Sequence, residues 1–319
     1  MARTTSVFAF AILSVLPAAG QKTWTMPRTP DGQPDLQGIW NNATLTPMER
    51  PAQYAGKATL TEKEAAEFEK EELGNVNADR RDGSSVTDVN RAYNEFWRDR
   101  GKITPDRRTS LIVDPPDGRV PQLTPAAQKR AAELAAQNQG HEFDGPENRS
   151  LAERCIAVPN AGPPMMPANY NANYQIVQSR GYVALLSEQI HDVRIIPVSG
   201  PTDGRPHISQ DVRQLLGDSR GHWDGNTLVV ETTNFTDRTS FRGSGEHMHL
   251  TERFTRTGAD TMLYEFMVDD PETFTRAWTA RIPMTKAQGP LFEYACHEGN
   301  YGLAGSLAGA RAQEAGAKK

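Results

Sequence analysis

The chain has 319 residues, 37% of them hydrophobic, and a net charge of −5. That length suits one large domain or two modest ones. The acidic balance gives no support to a nucleic-acid partner, because a phosphate-binding face shows as a basic excess. Twenty-two prolines and twenty-six glycines point to long connections rather than a helical bundle.

The first segment reads as a signal peptide over residues 1–20. Arg3 supplies a positive start, Val7 to Leu16 an apolar run, and Ala18, Ala19 and Gly20 the small residues of a cleavage site before Gln21. An uncleaved anchor is the alternative, although the run is short for a bilayer. Export implies a periplasmic or secreted protein. No later segment is apolar enough to cross a membrane.

Residues 21–150 form an N-terminal extended and helical region. Pro34 to Trp40 is a short strand candidate. Thr61 and Glu64 spell a capping box ahead of a helix whose inner face is Ala65, Phe68 and Leu73. A second helical piece covers about Val89 to Arg98. The stretch RTSLIVDPPDGRVPQL reads as a strand, a turn and an extended exit. A third helix starts at Thr124, with Pro125 in its first position.

From Cys155 the texture changes. YQIVQS, YVALLSEQ, VRIIPV, TLVVETT, MHLTERFTRT, TMLYEFMV, FTRAWTARIPM and LFEYAC are successive strand candidates separated by turn residues. Short spacing without helical pattern predicts an antiparallel meander over 151–300. Strands of this number lose their exposed edges best by closing into a barrel. The tail, 301–319, is rich in alanine and glycine and reads as flexible or weakly helical. The expected fold is therefore mostly β: an antiparallel lipocalin-like barrel or strongly curved sheet with an N-terminal helical extension.

The motifs YQIVQ, SEQIHDVRIIP, GDSRGHWDGNTLVVETTNF, LTERFTRTGADT and YACHEGNYGLAG together resemble a large group of exported bacterial proteins without a settled activity. That resemblance implies secretion and a shared fold over roughly residues 30 to 310, and no reaction. Gly38-Ile39-Trp40 also resembles the Gly-x-Trp of lipocalin and calycin barrels.

Four features could carry chemistry. Cys155 and Cys296 are the two cysteines, and export favours a disulfide between them; two separately buried thiols are the alternative. Closing so long a loop contributes about 4–5 kcal/mol in the chain-entropy model. In the stretch from Gly217 to Phe235, Asp224-Gly225-Asn226 supplies the backbone of a tight hairpin. Glu231 sits in the following strand with Arg220 and His222 across the turn. The group reads either as a structural ion pair or as a pocket acid with a histidine. Glu188, His191 and Arg194 bracket a bend and can bind an anion or position a proton donor.

His247 and His249 share a strand face, as metal-binding pairs do. No complete ligand set accompanies them, although Glu252, His222 or His297 could add a third. No metal and no cofactor is expected. A nucleophile elbow, a phosphate loop and a dinucleotide fingerprint are missing from the sequence.

The leading expectation is an exported small-molecule-binding protein. Its barrel pocket is marked by Arg194, His222, Glu231 and Arg220. The alternative is an enzyme of hydrolase or lyase type, using Glu231, His222, Glu188 or His191 in the same pocket. A third reading is a structural or partner-binding envelope protein.

Overall fold

The computed structural model describes residues 24–84, 94–190, 192–200, 205–239 and 241–317. The expected signal peptide, His191 and the first half of the second helical piece lie outside these residues. The ten strands are β1 (Gly38–Asn41), β2 (Ile112–Asp114), β3 (Asn173–Ser179), β4 (Tyr182–Ser187), β5 (Val193–Ser199), β6 (Asp218–Asp224), β7 (Thr227–Thr233), β8 (His249–Arg256), β9 (Thr261–Asp269) and β10 (Trp278–Lys286). Among the described residues three helices accompany them: α1 (Glu62–Val76), α2 (Pro125–Asn138) and α3 (Tyr301–Ala317).

Nine strands close into a barrel in the order β1-β3-β4-β5-β6-β7-β8-β9-β10 and back to β1, and β2 adds to β10 outside the ring. An odd ring cannot alternate strand direction throughout, so at least one pairing must be parallel. It is β5 with β6, whose pairing is confined to Val198 with Gly221 and Ser199 with His222. The barrel is thus mixed where a purely antiparallel one was expected. The described part of the connection, from Arg205 to Gly217, lies beside the residues that follow β7, where Asn234 donates to the Ile208 and Ser209 carbonyls.

Period-two alternation fills the barrel. Leu250, Glu252 and Phe254 of β8, Met262, Tyr264, Phe266 and Val268 of β9, and Trp278, Ala280, Ile282 and Met284 of β10 are all buried. Trp40 is fully buried and its indole N–H donates to the Leu36 carbonyl at 2.9 Å. Phe266 meets Trp278 edge-on at 5.6 Å, and Phe241 stacks on Trp278 at 6.0 Å. Each such side chain contributes about 1.5–3 kcal/mol by leaving water. Together they leave a packed interior rather than an open lumen.

The β6–β7 hairpin turns on Gly225 and Asn226, with Asp224 paired to Thr227. Gly225 is left-handed at φ +59° while Asn226 is not, the pattern of a II′ turn. Arg28 pins the tip by donating to the Asn226 side chain at 2.8 Å.

Thr61 caps α1 through the Glu64 N–H, and Glu64 returns a bond to the Thr61 N–H. Of the expected inner face, Ala65 is buried, Phe68 meets Tyr54 edge-on and Leu73 is exposed. Thr124 caps α2, with Pro125 as its first residue. What is described of the second helical piece is a single 3-10 turn, Glu95–Trp97, with Phe96 and Trp97 exposed.

Cys155 and Cys296 are bonded. The expected strand LFEYAC does not form. Its physical reason is edge saturation: β10 already pairs with β9 on one side and with β1 and β2 on the other, so no edge remains for it. The disulfide therefore ties the loop before β3 to the loop after β10.

Gly217 enters β6 at φ +66°, and a Cβ there would stand 2.6 Å from the Thr233 carbonyl oxygen. Gly225 has a similar φ with open space around it. Gly217→Ala should therefore cost more stability in urea denaturation than Gly225→Ala. The latter carries backbone strain alone, about 1–2 kcal/mol. Equal losses would show that the contact at Gly217 is irrelevant.

Candidate functional site

One ion pair lies inside the barrel. Arg194 of β5 reaches across to Glu252 of β8, which is fully buried, with Nη1–Oε1 at 3.1 Å and Nη2–Oε2 at 2.5 Å. The same Nη2 lies 3.0 Å from the Ser219 hydroxyl of β6 and 3.2 Å from the Thr232 hydroxyl of β7. Tyr264 of β9 donates to Glu252 at 2.8 Å and accepts from the Met165 N–H at 3.0 Å. One network therefore joins five consecutive wall strands to the loop that carries Met165.

A buried carboxylate needs this many donors because burial alone would cost several kcal/mol (roughly, after relaxation). Burial and the neighbouring Glu252 charge push the Tyr264 hydroxyl well above its ordinary range. Burial does the same for Tyr174, whose hydroxyl donates to the Asn160 carbonyl at 2.7 Å. Both phenols are thus held as neutral donors.

The Arg194 Nε is buried without a hydrogen-bond partner. Arg194 lines a small cavity of about 10 Å³ together with Met165, Tyr174, Ser187 and Asp192. Gly162 and Leu216 close that cavity, and the same two residues wall a larger one of about 260 Å³. The larger cavity lies at the barrel mouth under the disulfide-tethered loop. Leu151, Val158, Pro159, Leu215 and Phe241 make it apolar, and Arg238 stands at its rim.

The other predicted residues fall elsewhere. Glu231 and His222 share the outer face of the hairpin, directed away from the interior, with His222 exposed and Glu231 half-buried. Arg220 is the register partner of Glu231, yet its guanidinium donates to Asp218 at 2.6 Å. Asp218 also accepts from the Ile208 N–H at 3.1 Å and lies 2.8 Å from the His207 Nδ1. This is a histidine–carboxylate pair on the outer wall. No nucleophile is hydrogen-bonded to His207 among the described residues.

Glu188 is buried, 2.8 Å from the Asn173 amide nitrogen and 3.3 Å from the Phe292 N–H. It anchors the loop after β10 and does not join Arg194 in the network. His249 lies half-buried at the start of β8, and His247 is exposed beside Glu246 and Glu272. His297 is exposed. Among the described residues no group of three or more His, Cys, Asp or Glu is placed to hold a metal ion.

Sequence reasoning named Arg194 but missed its partner. The signal was present: Leu250 and Phe254 mark the inner face of LTERF, and Glu252 lies between them at period two. Tyr264, Ser219 and Thr232 carry no comparable signal, because their roles depend on which strands become neighbours.

Glu252→Gln leaves Arg194 buried without its counter-charge and should cost about 3–5 kcal/mol in chemical denaturation. The double change Arg194→Met with Glu252→Leu should recover most of that loss. A double variant as unstable as the single one would show that the network does more than neutralise charge.

The raised phenols also set a pH response. A folded-state pKa above the unfolded value contributes stability that is complete below the unfolded pKa, about 10 for tyrosine. The contribution is lost as pH rises toward the folded value, because the unfolded chain ionises first. Ionisation of Tyr264 and Tyr174, read at 295 nm, should coincide with loss of near-ultraviolet dichroism. Full phenol ionisation in a folded barrel would contradict this.

No protein-family model matches the chain, and no curated protein matches it significantly.

Proposed function

We propose that this chain is an exported small-molecule-binding protein whose ligand occupies the mouth of the barrel. The barrel architecture is compatible with such a role. The packed aromatic interior moves the site from the lumen to the cavity above it. The observation that carries the reading is the unpartnered Arg194 Nε behind the Gly162–Leu216 partition of an apolar cavity. A buried donor without an acceptor favours a ligand that supplies one.

The site calls for a small ligand with an apolar body and one acceptor head. A volume of about 260 Å³ falls just below the usual span of ligand pockets, roughly 300–1,000 Å³. The body would pack on Leu151, Val158, Leu215 and Phe241, while the head takes a hydrogen bond from Arg238 or passes between Gly162 and Leu216 to reach Arg194. Export rests on the signal-like N-terminus and is supported by the disulfide, which suits an oxidising compartment. No helix among the described residues is long and apolar enough to cross a membrane.

The filled interior favours a second reading, a rigid envelope scaffold without a ligand. A panel of aromatic and branched aliphatic monocarboxylates, screened by ligand-observed NMR, separates the two. At least one should bind, and Leu216→Trp should weaken it tenfold or more by filling the cavity, with the melting temperature nearly unchanged. Glu231→Gln should leave binding intact. Absence of binding across the panel, or binding indifferent to Leu216→Trp, would favour the scaffold.

A further inference from the structure

A second cleft opens at the other end of β6. It holds about 870 Å³ between the N-terminal segment around Asp31 and Gln33, the β3–β4 turn, and the ends of β5 and β6. Its lining is of a different kind from that of the mouth. Arg180 stands exposed on the turn, and Arg205 lies over it. The Arg205 guanidinium carbon is 5.0 Å from the Tyr182 ring centroid. Its Nη2 lies 3.7 Å from where Gly181 would carry a Cβ, an ordinary contact distance above the turn.

Neither guanidinium has a carboxylate partner among the described residues. On the wall strands β6, β8 and β10, by contrast, Arg220, Arg253 and Arg281 are each paired with an acid. Two cations beside one turn repel each other unless an anion comes between them. The face of Tyr182 satisfies Arg205 in part and holds it in place.

The cleft also presents an aromatic surface. Trp223 is partly buried against the core and lines the cleft. Around it stand the Gln33 amide, the Asp31 carboxylate and the Ser199 hydroxyl, which accepts from the Arg205 N–H at 2.9 Å and keeps its own proton to donate. Guanidiniums suit a carboxylate, an indole suits the apolar face of a sugar ring, and amide, carboxylate and hydroxyl suit its hydroxyls. We propose that this cleft binds an acidic saccharide, a sugar bearing a carboxylate, with Arg180 and Arg205 holding the carboxylate and Trp223 beneath the ring. The site shares no residue with the mouth cavity and stands independently of it.

Isothermal titration with trigalacturonate tests this, with neutral maltotriose and inorganic sulfate as comparison ligands. Trigalacturonate should bind at least tenfold more tightly than either. The double variant Arg180→Gln, Arg205→Gln changes two exposed side chains and should fold normally. It should weaken trigalacturonate tenfold or more, while Leu216→Trp at the mouth leaves it unchanged. Sulfate binding as tightly as trigalacturonate would overturn the proposal in favour of a generic anion patch. Absence of trigalacturonate binding at millimolar concentration, or binding unaffected by the double variant, would overturn it outright.

Discussion

The barrel depends on how its parallel seam is held. Main-chain pairing between β5 and β6 covers only the end nearest Ser199 and His222. Toward the mouth the two strands share no ladder, and Arg194 bridges the gap with side-chain bonds to Ser219, Thr232 and Glu252. Gly221 lets the walls approach where the ladder does form: a Cβ there would stand 3.2 Å from the Ile196 and Val198 side chains. An odd ring of strands creates the seam, and a buried ion pair closes what the backbone leaves open.

That solution consumes polar groups which a barrel of this kind could otherwise turn toward a ligand. Glu252 is fully engaged by Arg194 and Tyr264, and Tyr264 reaches on to the Met165 N–H. The loop through Met165 is thereby tied to the wall, as it is again where Tyr174 donates to the Asn160 carbonyl, and the disulfide from Cys155 to Cys296 ties its start to the loop after β10. Held at these points, it covers the mouth and forms the roof of the apolar cavity. The aromatic interior below contributes stability rather than space, so recognition is moved to the ends of the barrel.

The two ends differ in chemistry because the strands that reach them differ. Leucine, valine, proline and phenylalanine from loops line the mouth. The opposite cleft takes polar turn residues and two arginines. Along the outer wall between them, Asp218 gathers His207, Arg220 and the Ile208 N–H into one cluster. It fastens the segment that returns from β5 to β6, and so supports the seam from outside as Arg194 does from within.

Local sequence determined much of this. Alternation marked the strands from Asn173 onward, the glycine of the Asp224-Gly225-Asn226 turn set the hairpin, and Thr61 with Glu64 announced the start of α1. These signals are legible because each depends on residues within a few positions of one another, as a turn, a pleat or a cap requires. The barrel's closure was only partly legible: Pro34 to Trp40 read as a strand, but nothing local says that it pairs with both β3 and β10. The site was least legible. Glu231 looked like the buried acid because apolar residues flank it. Tertiary register placed it outward and put Glu252, one strand over, inside. Period two gives each strand two faces, and only the closing of the ring decides which face is the interior.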